Sequence, residues 1–98
     1  MAAYFLAAVD INDVKGFQKY SEAGFASMEG VKFEVISIDD NPLLLEGKLP
    51  GHHIVILKFD SKEDIKKWYD SAAYAKAKPF RHASCDTAFF VALDQFKG

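Results

Sequence analysis

The sequence predicts an α+β fold, an antiparallel sheet carrying helices on one of its faces. Three observations carry that expectation. Apolar runs of strand length occur at 3–11, 31–39, 53–59 and 87–95. Segments with helical spacing follow the first run and the third. The resulting order, βαββαβ, is that of a ferredoxin-like sandwich.

Each element has its own signal. The run 3-AYFLAAVDI-11 is compact and apolar, and 12-ND-13 supplies capping side chains. From Asp13 to Gly30, Val14, Phe17, Ser21, Gly24 and Met28 fall along one helical face. Asp13 suits its start and Gly30 a left-handed end. In 31-VKFEVISID-39 the alternation slips between Val35 and Ile36, which predicts a bulge or burial of both faces. The turn 40-DNP-42 precedes a short candidate strand in 43-LLLEG-47, then the turn 48-KLPG-51. Residues 53-HIVILKF-59 form the clearest β-branched run. Asp60 or Ser61 opens the next helix, and Ser71 caps a further helical piece through Ala77. Pro79 predicts a kink or a new turn.

Ninety-eight residues, half of them hydrophobic, make one domain spanning 1–98. Twelve basic residues against fourteen acidic ones leave a net charge of −2 with no basic block, which argues against nucleic acid as a partner. No run approaches the ~18 apolar residues of a membrane span. The start, MAAYFLAAVD, lacks a basic n-region, so a soluble cytoplasmic protein is expected. Cys85 is the single cysteine and reads as a small buried apolar residue. Neither a phosphate-cradling glycine loop nor a metal or cofactor motif is present, so no cofactor and no metal are expected.

The strands are apolar on both sides. Tyr4, Leu6 and Ala8 oppose Phe5, Ala7 and Val9, and Ala88, Phe90 and Ala92 oppose Phe89, Val91 and Leu93. Helices cover one sheet face only, and a bare second face would be a larger apolar patch than soluble monomers carry. A second copy of the sheet is the simplest cover, giving a homodimer through sheet faces, a dimeric α/β barrel.

The stretch 68-WYDSAAYAKAKPFR-81, together with 46-EGKLPGHHIVILKFDS-61, resembles the family known as domain of unknown function 1330. Glu46-Gly47, Pro50, the strand 54–59, Trp68-Tyr69, Ser71, Tyr74, Lys78-Pro79 and Arg81 carry the resemblance, with the closing strand near Phe90 to Asp94. It implies a ferredoxin-like protomer and a dimer within the dimeric α/β-barrel superfamily. That superfamily includes cofactor-independent monooxygenases, muconolactone isomerases, haem-using enzymes and stress-responsive proteins. The resemblance implies no particular reaction. His53 and Leu49 depart from the arginine and tryptophan that the family pattern usually has there.

Four residues are candidates for a site. Tyr69 continues the apolar face of Ile65 and Trp68, so packing with a hydroxyl at the edge is its plain alternative. Tyr74 follows the Ser71 cap and can either pack or meet a ligand. Arg81 can grip a substrate carboxylate in a two-pronged contact, or pair with Asp86 or Asp64. His52 and His53 are adjacent at a strand entrance, where alternation would point them to opposite faces, so they cannot share a metal. His53, turned toward the helices, can act as a proton acceptor. His82 has no partner legible in the sequence. The functional expectation is a cofactor-free pocket for a small aromatic or carboxylic metabolite, lined by His53, Tyr69, Tyr74 and Arg81, with isomerisation or oxygenation as its chemistry. The alternative is a non-enzymatic structural or stress-related dimeric module.

Overall fold

The computed structural model describes residues 1–97. Its elements are β1 (Ala3–Ile11), α1 (Val14–Ala26), β2 (Phe33–Asp39), β3 (His53–Phe59), α2 (Lys62–Tyr69), α3 (Ala72–Ser84) and β4 (Cys85–Asp94). The strands form one sheet in the order β2-β3-β1-β4, every neighbouring pair antiparallel. This is the ferredoxin-like α+β topology, and the sheet is open at both edges.

Side chains start the helices where the sequence places them. Asp13 Oδ1 accepts from the Gly16 amide at 3.2 Å, and the Ser61 and Ser71 hydroxyls accept from the Asp64 and Tyr74 amides at 3.1 Å. Each satisfies an amide that the first helical turn leaves unpaired, worth about 1 kcal/mol. The bulge expected in β2 is present, because the β2–β3 register shifts between Val35 and Ser37. Gly51 is required by a close approach: a Cβ there would lie 2.8 Å from the Val9 backbone.

Four expectations are corrected. Segment 43–47 is not a strand. Both edges of β3 are already occupied by β1 and β2, and Leu43 and Leu45 point into solvent. The first helix stops at Ala26, and Gly30, at φ +80°, turns the chain into β2 four residues later. Val14 lies outside the packed face of α1 and is exposed. Pro79 does not break α3, which runs on to Ser84. Pro79 and Ala75, whose carbonyl loses its helical partner, both lie on the exposed side, so the unpaired carbonyl is not shut in the core.

The core sits between the sheet and α2/α3. Phe5 meets the Trp68 ring edge-on at 5.4 Å and the Phe90 ring at 5.0 Å, while Phe59, Ile65, Tyr74 and Ala77 complete the cluster. Helix α1 behaves differently. It packs along α3, makes little contact with the sheet, and has no fully buried residue.

The other sheet face is open. The registers Leu6↔Ile56, Leu6↔Val91 and Ala8↔Phe89 place these side chains together on the side away from the helices. Phe89, Val91 and Leu93 are 36%, 38% and 48% exposed. The two-sided apolar pattern therefore corresponds to a bare face.

Candidate functional site

Because α1 stands off the sheet, a cavity of about 140 Å³ lies beneath it. Its floor is Ala7 and Val9 of β1 with His53, Val55 and Leu57 of β3. Its roof is Phe17, Tyr20, Ser21 and Gly24 of α1, and Trp68 and Phe90 close one end. Small side chains cause the space: Ala7 on the floor faces Ser21 and Gly24 on the roof. Phe25 and Ile38, about half exposed, mark the rim. A void of this size holds one benzene-sized ring.

Two polar features border this apolar space. At one side stands His53, whose Nδ1 bonds Asp40 Oδ1. A carboxylate only accepts, so Nδ1 carries a proton, and in the neutral imidazole Nε2 is then the acceptor. The Phe17 ring meets the imidazole edge-on at 5.1 Å and lies 5.4 Å from Tyr20. His53 and Tyr20 thus flank one aromatic side chain. His52 points the other way, its Nδ1 3.0 Å from Asp10 Oδ1.

The second feature is a chain of hydroxyls. Tyr20 and Tyr74 oxygens are 2.8 Å apart, and Arg81 Nη1 donates to the Tyr74 oxygen at 2.8 Å. Arg81 Nη2 lies 3.0 Å from His82 Nε2, and its guanidinium covers the Phe90 ring at 4.2 Å. Tyr74 and Arg81 are seven residues apart on one continuous helix. Two turns bring them to the same face, which a break at Pro79 would have prevented.

Arg81 is only 5% exposed, and among the described residues no carboxylate pairs with it. The expected pairing with Asp86 or Asp64 is therefore corrected: the guanidinium turns inward to phenol oxygens. Its buried Nε has no hydrogen-bond partner among the described residues. Burial disfavours the charge, but the Tyr74 and Tyr20 oxygens outweigh it and raise the Arg81 pKa. Burial also raises the pKa of both phenols.

Of the four residues singled out in the sequence, His53 alone lines the cavity. Tyr74 is wholly buried behind Tyr20, and Tyr69 packs its ring against Tyr74 at 5.4 Å, under the Lys78 ammonium at 4.2 Å. Tyr20 is the residue that sequence reasoning missed. Its spacing of three from Phe17 on the inward face of α1 was the available signal.

A family model of a domain of unknown function, DUF1330, matches residues 2–94. The chain belongs to the DUF1330 family. No curated protein matches its sequence. Its fold is similar to that of RPA0582, a protein of unknown function from Rhodopseudomonas palustris, at TM-score 0.79 and 16% identity, over 99% of this chain and 84% of that one. It is also similar to SnoaB, a cofactor-independent oxygenase from Streptomyces nogalater, at TM-score 0.68 and 7% identity, over 99% and 95% of the chains. A dimeric protein of unknown function with a ferredoxin-like fold from Bacteroides fragilis aligns at TM-score 0.65 and 12% identity, over 96% of each chain. At these identities the likeness is one of fold. Among the described residues no helix is long and apolar enough to cross a membrane.

Proposed function

We propose that this DUF1330 member is a cofactor-free homodimer whose cavity binds a small, partly aromatic or carboxylic molecule, with His53 as the proton acceptor at its edge. One observation carries the reading: an apolar space of single-ring size borders an imidazole that Asp40 holds with Nε2 free. Proton removal from a ring-activated O–H or C–H is a step shared by isomerisation and cofactor-independent oxygenation. The likeness in fold to SnoaB is compatible with the second. Tyr69, Tyr74 and Arg81 contribute from behind the wall, through Tyr20.

The dimer forms through the bare sheet face. Phe89, Val91 and Leu93 support it, as does the dimeric state of the Bacteroides fragilis neighbour. A cytoplasmic location is consistent with the free thiol of Cys85.

Trp68, the sole tryptophan, borders the cavity and reports on it. Titration with single-ring phenols and carboxylates should give saturable changes in its fluorescence, weakened in His53→Ala. If no such compound changes the emission at millimolar concentration, the cavity is not a binding site. The rival reading, a non-enzymatic structural or stress-related dimeric module, draws on the complete burial of Tyr74, which shows no contact with the cavity. The same silent titration would favour it.

A further inference from the structure

The hydrogen-bond chain behind the cavity has a direction, and the direction selects a ligand. Arginine only donates, so the Tyr74 oxygen accepts from Arg81 Nη1. Tyr74 has one proton of its own. It is wholly buried, and the Tyr20 oxygen, 2.8 Å away, is the only acceptor its hydroxyl meets among the described residues. The reverse arrangement, Tyr20 donating to Tyr74, would strand the Tyr74 proton in the core, where an unmade hydrogen bond is expensive. Tyr74 therefore donates to Tyr20. The proton of Tyr20 then has no acceptor among the described residues, and Tyr20 is a wall of the cavity.

We propose that Tyr20 presents this free hydroxyl proton to the cavity, and that the ligand is a one-ring phenolate or enolate whose oxygen accepts it. The proposal rests on the cavity being a binding site, as argued above, and adds the chemistry of its occupant. Three observations narrow the class. The donor stands two links from a buried guanidinium that has no carboxylate partner among the described residues, so each hydroxyl in the row is polarised toward an anion. Most of the lining is apolar, with Ser21 and His53 the other polar side chains beside Tyr20, so a ring bearing one anionic oxygen matches the space better than a ligand whose charge is spread over two. The volume admits one ring.

The test uses 4-nitrophenol, whose visible absorbance separates phenol from phenolate, and nitrobenzene, the same ring without the phenolic oxygen. Both are titrated into the full chain, with nitrobenzene followed by Trp68 fluorescence. The expected result is a bound phenolate whose affinity falls roughly ten- to a hundredfold in Tyr20→Phe. Nitrobenzene affinity should be unchanged, which also reports that the variant is folded. Tyr74→Phe, which cuts Tyr20 off from Arg81, should shift bound 4-nitrophenol toward its neutral form. Equal 4-nitrophenol affinity in wild type and Tyr20→Phe would overturn the proposal and leave the cavity reading standing. Failure of both probes to bind the wild type would overturn the cavity reading itself, and this proposal with it.

Discussion

Filling the cavity from its floor separates vacant space from packed core by the sign of one number. Ala7 is 5% exposed and lies on β1 between Val55 and Phe90, its methyl directed at the roof of α1. Ala7→Leu adds three carbons. If they enter the 140 Å³ space, each buried carbon contributes about 0.8 kcal/mol, an upper limit of about 2.4 kcal/mol. Losses in rotamer freedom, roughly 0.5–1 kcal/mol, reduce this to a stabilisation of about 1–2 kcal/mol. In a domain of this length that corresponds to a rise in Tm of about 4–15 °C. The same change in a close-packed interior would cost about 1–3 kcal/mol. Thermal and urea unfolding of both proteins, at one protomer concentration because a dimer is expected, measures the difference. Ligand binding should fall in the more stable variant, since leucine occupies the ligand's space. A Tm lowered by several degrees would mean that no usable room exists beneath α1.

Further consequences follow from the hydroxyl chain and the open sheet. Tyr74→Phe removes the oxygen that accepts from the buried Arg81, so it should cost about 2–3 kcal/mol by urea unfolding, and a loss below about 0.5 kcal/mol would deny the chain its structural role. Tyr20 and Tyr74 have raised pKa values, so the folded state retains protons that the unfolded chain releases above about pH 10. Their contribution to stability is complete below that pH and is lost as pH rises beyond it. Tyrosinate absorbance from these two should therefore emerge only with alkaline unfolding. Val91→Lys places an ammonium opposite Leu6 at the centre of the bare face, and sedimentation should show the dimer split into monomers.

Most of the fold was legible because its signals are local. Capping residues at Asp13, Ser61 and Ser71 act over three residues, and strand alternation acts over two. The slip at Val35–Ile36 even marked the bulge. What was not legible depended on neighbours distant in sequence. Three leucines at 43–45 have strand composition, but no free strand edge of β3 was left for them. Pro79 is a strong stop locally, yet packing of α3 against α1 carries the helix through it. The sequence reading put Arg81 and Tyr74 in one pocket, but the unbroken helix turns them to a common face behind the cavity wall. Tyr20 joins them across fifty-four residues of sequence, a distance no periodicity reports. His53 was found because a strand alternates: its place opposite Val9 fixes it on the helix side, while His52, just before the strand, turns to Asp10.

Two apolar surfaces stand out, and we propose a small molecule for the one under α1 and a second copy for the outer one. Intermolecular nuclear Overhauser effects from bound 4-nitrophenol separate them in one measurement. The ring protons should reach the methyl groups of Ala7, Val55 and Met28. Contacts to Ile56 and Val91 in their place would put the small molecule on the face reserved for the partner, and the assignment of the two surfaces would fall.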